Sequence, residues 1–169
     1  MDPYHETYQG NSEPQPETNE VPIARLIQLE KQHREGANWF YWIVGLSGLS
    51  SILLVIGSPI VSAVSLGSTQ LLAAVGQQIP ELTIAAVIGS VLILGVFALL
   101  GYLSNKGKRG AYIIGIVLFF LDTLVTLWAE DFIGFAFHGL ALYFMIVGII
   151  ALFKLKKLLP QSASEENSL

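Results

Sequence analysis

AYIIGIVLFFLDTLVTLWAEDFIGFAFHGLALYFMIVGIIALF, residues Ala111 to Phe153, holds two long apolar runs with only Glu130 and Asp131 between them. A helix needs about 20 apolar residues to cross a hydrocarbon core of about 30 Å, since each residue advances it by about 1.5 Å. Ala111–Ala129 and Phe132–Phe153 both have that length. Neither alternates apolar and polar residues, which excludes a membrane barrel strand. Two helices joined by so short a link fold back on each other as an antiparallel hairpin.

Two further windows read the same way, about Trp39–Gly57 and about Leu82–Leu103. Hydrophobic residues make up 53% of the chain and charged residues 13%, against about 25% charged in soluble domains. The fold class expected is therefore all-α, a membrane four-helix bundle. Orientation follows from the 9 Lys and Arg residues, which stay cytoplasmic during insertion. Arg25, Lys31 and Arg34 precede the first span; Lys106, Lys108 and Arg109 link the second and third; Lys154, Lys156 and Lys157 follow the fourth. The links Ser58–Glu81 and Glu130–Asp131 have none. Four spans place every cation on one side and both termini in the cytoplasm. Aromatic residues fit this: Trp39, Phe40, Tyr41, Trp42, Tyr102 and Tyr112 at the cytoplasmic edge, Trp128 and Phe132 at the other.

Outside the spans, residues 1–20 carry prolines and acids with little to bury and read as a disordered tail, as do residues 158–169. Residues 21–36 read as a short amphipathic interfacial helix leading into the first span, with Ile23, Leu26 and Ile27 on its apolar face and His33 in solvent. Pro59–Pro80 is uncharged but rich in Ser, Gly, Thr and Gln. A fifth span there would split the cations between two faces, so a re-entrant or interfacial segment on the non-cytoplasmic side is expected. It either covers the bundle or lines a site through Gly67, Ser68, Thr69 and Gln70.

Asp122 is the ionisable residue deepest in a span, where a lone carboxylate costs roughly 2.5–3.5 kcal/mol. Thr126 and Glu130 follow it at helical spacing, and Asp131 and His138 share a face of the next helix. Counted from the turn, Asp122 and His138 lie at nearly equal depth, roughly 10–13 Å in. Two readings stay open. In one, the pair satisfies itself and fixes helix register. In the other, Asp122, Thr126, Glu130, Asp131 and His138 form a proton or ion site, with a divalent metal as a lesser variant. No cofactor and no dedicated metal site is expected.

The chain has no Cys, hence no disulfide or thiolate chemistry. It lacks the HExxH and GxSxG patterns of zinc proteases and hydrolases, and no basic face points to nucleic acid. Small residues spaced by four, Ser47/Ser51, Ala85/Gly89 and Ala111/Gly115, suit close helix packing. GANWFYWIVGLSGLSS (Gly36–Ser51), LGSTQ (Leu66–Gln70) and LDTLVTLWAEDFIGFAFHGLAL (Leu121–Leu142) look similar to small bacterial membrane proteins of unassigned function. That resemblance implies a bacterial cytoplasmic membrane and no activity. The expected partners are the lipid bilayer and either further copies of the chain or another membrane protein. The function classes left are a non-enzymatic membrane component, a small transporter or channel working through Asp122 and His138, and, more remotely, an intramembrane enzyme.

Overall fold

The computed structural model describes residues 23–55 and 65–166. The expected tail at 1–20 and the first part of Pro59–Pro80 lie outside the described residues. Among the described residues five helices run in order: α1 (Ile23–Val55), α2 (Gly67–Gln78), α3 (Thr83–Asn105), α4 (Arg109–Trp128) and α5 (Phe132–Glu166). A 3-10 turn, Pro80–Leu82, joins α2 to α3. There is no strand among the described residues. Pro80–Asn105, Arg109–Trp128 and Phe132–Leu159 are long and apolar enough to cross a membrane, each with an 18-residue stretch whose mean hydropathy is 2.6, 2.1 and 2.2 respectively. Length and composition are those of an integral membrane protein.

Both tight links end their helices the same way. After α3, Gly107 adopts φ +72, the Gly107 N–H donates to Ser104 O, and the Lys108 N–H donates to Leu103 O. This paired pattern needs a left-handed residue just past the helix end, and glycine takes that conformation without strain. After α4 the same pattern recurs with Glu130 at φ 57. Glu130 N–H donates to Leu127 O and Asp131 N–H to Thr126 O. Asp131 Oδ1 then accepts the Gly134 N–H at 2.9 Å and caps the start of α5. The hairpin expected at Glu130–Asp131 is thus built.

The helix α1 packs chiefly on α5 and α3, and α4 packs on α5 and α3 in turn. Phe40, Phe97, Tyr112, Phe119 and Met145 fill the space between. Phe40 is driven in between α3 and α4, where Gly101 and Gly115 leave room for its ring. Phe40 and Tyr112, expected at the aqueous edge, are fully buried, whereas Trp42 is 64% exposed and Trp128 77%. Ring size and apolarity were legible; which side of the helix faced inward was not.

The start of the chain also departs from expectation. The proposed interfacial helix at 21–36 and the first apolar window form one uninterrupted helix of 33 residues. Gly36 does not break it. A Cβ at Gly36 would come within 2.6 Å of Gly148 Cα, so this glycine lets the α1 and α5 backbones touch. The buried side of α1 carries Leu29, His33, Ala37 and Phe40, while Ile23 and Ile27 are 74% and 62% exposed. His33, expected in solvent, is 4% exposed. Tertiary contact with α5 and the α3–α4 turn selects a face that local apolar spacing does not.

At the other end, α5 continues past residue 157 to Glu166. The helix α2 has 12 residues, about 18 Å of helix, which is too short to cross a core of about 30 Å. It lies against α3 and α4, and Gly76 brings it within van der Waals range of Thr83 and Ala86.

Candidate functional site

The first turn of α2 is where the polar residues of the chain converge. Backbone N–H groups at a helix N-terminus have no partner in their own helix and carry the positive end of the helix dipole. Three of them here find side-chain oxygens from other helices. Leu66 N–H donates to Ser47 Oγ of α1 at 2.9 Å. Gly67 N–H donates to Asp122 Oδ2 at 2.8 Å and Ser68 N–H to Asp122 Oδ1 at 2.8 Å. The carboxylate of α4 therefore caps α2 with both of its oxygens.

His138 of α5 completes the layer. Its Nε2 lies 3.2 Å from Asp122 Oδ2, and its Nδ1 lies 2.8 Å from the Gly134 carbonyl oxygen. A carbonyl can only accept, so Nδ1 carries a hydrogen and donates. The contact between Nε2 and Oδ2 needs one more proton. Whichever atom holds it, the pair has no net charge, and this is the form in which two ionisable groups tolerate burial. The ring stacks on Phe119 at 4.9 Å between centroids and 9° between planes. Ser47, Asp122 and His138 are 0%, 5% and 2% exposed.

Close approach is a condition of this geometry. A Cβ on Gly67 would sit 2.9 Å from Thr126 Cγ2, 3.1 Å from Thr126 N and 3.2 Å from Asp122 O. Only a residue without a side chain brings the α2 amides within hydrogen-bonding range of a carboxylate on so close a helix.

The residues read from the sequence separate into two groups. Asp122, His138 and Ser68 meet. Thr126 packs its methyl group against Gly67, and its hydroxyl donates to Thr123 O at 2.8 Å. Thr69 donates to Leu66 O at 2.8 Å and closes the first turn of α2. Gln70 Nε2 donates to Ser65 Oγ at 2.9 Å. Glu130 is exposed at the turn, and Asp131 is occupied as a helix cap. The sequence had suggested Ser47 only as a packing residue; its type, a hydroxyl amid an apolar run, was the available signal. The Ser47/Ser51 and Ala111/Gly115 spacings serve contacts within the chain, with Ser51 Oγ donating to Ser47 O at 2.9 Å and Gly115 against Phe40.

Among the described residues no three His, Asp or Glu side chains converge on a common point. A cavity of about 800 Å³ lies between α1, α2 and α3, touched by Ser51, Gly76, Thr83 and Ser90. A smaller crevice of about 380 Å³ opens where α1, α5 and the α3–α4 turn meet. Neither is lined by Asp122 or His138. No protein-family model, curated protein or solved structure matches the chain.

Proposed function

We propose that the chain is a non-enzymatic integral membrane protein that works by association, with further copies of itself or as a component of a membrane complex. In this reading α1, α3, α4 and α5 form a four-helix bundle that crosses the membrane four times. Both termini are cytoplasmic, the membrane is the bacterial cytoplasmic membrane, and α2 is a re-entrant or interfacial segment on the far side.

One observation carries the choice between association and transport. The Asp122 carboxylate is held by two amides and an imidazole, and the imidazole is held in turn by Gly134 O. A coupling site has to exchange its proton or ion with water, and this pair has spent its hydrogen-bonding directions on the protein. It reads as a pin that holds α2 to α4 and α5. Association draws support from Gly45, Gly95 and Gly139, all on exposed helix faces, where a Cβ would meet nothing within 4 Å. Glycine inside a helix costs up to about 1 kcal/mol against alanine. Among the described residues no contact requires it at these three positions, and it suits close approach by another helix.

The test is the purified chain in lipid nanodiscs and in liposomes carrying an internal pH dye. Association predicts a mass above one copy, falling when Gly45→Ile, Gly95→Ile or Gly139→Ile is introduced, with no proton flux. Flux that Asp122→Asn abolishes would instead favour the transporter or channel reading.

A further inference from the structure

The smaller crevice has the chemistry of an anion site at the end of the spans that bears the cations. Among the described residues three cations line it, Arg34, Lys106 and Lys156, with one acid, Glu30. Arg34 is already paired, its guanidinium donating to Glu30 Oε1 at 3.1 and 2.9 Å. The two lysines are left in excess. Each is held in place by a neutral group: Lys156 Nζ donates to Gly107 O at 2.6 Å, and Lys106 Nζ sits 4.5 Å above the Tyr102 ring. An ammonium has three donors, so Lys156 retains two.

His33 is the inner wall of the same crevice. It is 4% exposed, and its Nδ1 is buried with no partner among the described residues. Burial first, then the neighbouring Arg34 and Lys156 charges, hold its pKa below the ordinary value, against the opposing effect of Glu30.

The rest of the lining says which anion. Leu26, Leu152 and Leu155 contribute apolar surface beside the lysines. Asn105 and Lys106, where the span Pro80–Asn105 ends, form one edge. Lysines beside aliphatic side chains at that level fit a molecule with a phosphate at one end and hydrocarbon at the other.

We propose that this crevice binds one anionic phospholipid, with its phosphate on Lys106 and Lys156 and its upper acyl chain beside Leu152 and Leu155. The site is separate from the Asp122–His138 layer and does not depend on the association reading.

The experiment uses the full chain, delipidated in detergent, titrated with dioleoyl phosphatidylglycerol, dioleoyl phosphatidylcholine or inorganic phosphate and read by native mass spectrometry and thermal shift. Phosphatidylglycerol should bind at least about tenfold more tightly than phosphatidylcholine, the scale expected of two lysines at an anionic headgroup. Lys106→Gln/Lys156→Gln should remove that preference. Lys106→Arg/Lys156→Arg should keep it, which separates loss of charge from loss of fold. Lys154→Gln/Lys157→Gln alters two cations at the same end outside the crevice and should change it little. Equal binding of the two lipids, an equal loss in the Lys154/Lys157 variant, or inorganic phosphate binding as tightly as phosphatidylglycerol would each overturn the proposal.

Discussion

The Asp122 carboxylate on α4 accepts the Gly67 backbone N–H at 2.8 Å, although 55 residues separate the two in the chain. The short helix α2 is thereby tied to the hairpin of α4 and α5 through its first amides. Removing the carboxylate strands the buried Gly67 N–H, the part-buried Ser68 N–H and the His138 ring at once. Asp122→Ala should therefore lower stability in detergent by about 3 kcal/mol or more, with His138→Ala costing less because the amides keep their acceptor. The double variant should lie near Asp122→Ala alone, since contacting groups are not additive. Additive losses in thermal unfolding would mean that the two side chains do not act as one unit.

Gly67→Ala isolates the geometric condition from the electrostatic one. Its Cβ would meet backbone atoms of α4 at 3.1 and 3.2 Å, and backbone cannot step aside as a flexible side chain can. The expected cost is about 1–3 kcal/mol, typical of overpacking. Faster amide exchange should appear in α2 while α4 and α5 stay protected. Uniform loosening of all helices would contradict a local role.

Glu130 gives the opposite sign. Its backbone sits at φ 57, which non-glycine residues adopt at a cost, and its side chain is exposed. Glu130→Gly should raise stability by about 1 kcal/mol by removing that strain. A destabilised variant would return Glu130 to the list of functional side chains.

His33 makes stability depend on pH. Its folded-state pKa is held below the ordinary 6.5, first by burial, then by Arg34 and Lys156, with Glu30 opposing. Above 6.5 the ring is neutral in both folded and unfolded chains, and its packing contributes in full. As pH falls below 6.5 the unfolded chain takes up a proton that the folded chain resists, so stability declines. Melting temperatures measured between about pH 7 and about pH 5 should show this fall, and His33→Phe should flatten it.

Sidedness can be read with single cysteines, but the position matters. Ser104 is fully buried, so a thiol there would resist reagents on either side. Gly110 and Gln77 are exposed and stand at opposite ends of the helices. In intact cells an impermeant thiol reagent should leave Gly110→Cys unmodified and label Gln77→Cys. The reverse pattern would invert the orientation inferred from the cations.

Helix content, the lengths of α3 and α4 and the hairpin at Glu130–Asp131 were legible in the sequence, because they depend on local quantities, whereas α1 and α5 run well past their apolar windows. Runs of about 20 apolar residues and a two-residue link leave the backbone few ways to satisfy its hydrogen bonds in lipid. Equal counting from that turn was enough to bring Asp122 opposite His138. The principal partners of Asp122 were not readable. They are backbone amides of Gly67 and Ser68, which every sequence has, and what distinguishes them is only that α2 begins at that point in space. The inward face of α1 was hidden for a related reason. Its apolar spacing favoured Ile23 and Ile27, but contact with α5 through Gly36 and Gly148 turned Leu29, His33 and Phe40 inward. Local patterning determined which segments are helices; which surfaces meet was decided by tertiary packing, where a missing Cβ sets how near two backbones can come.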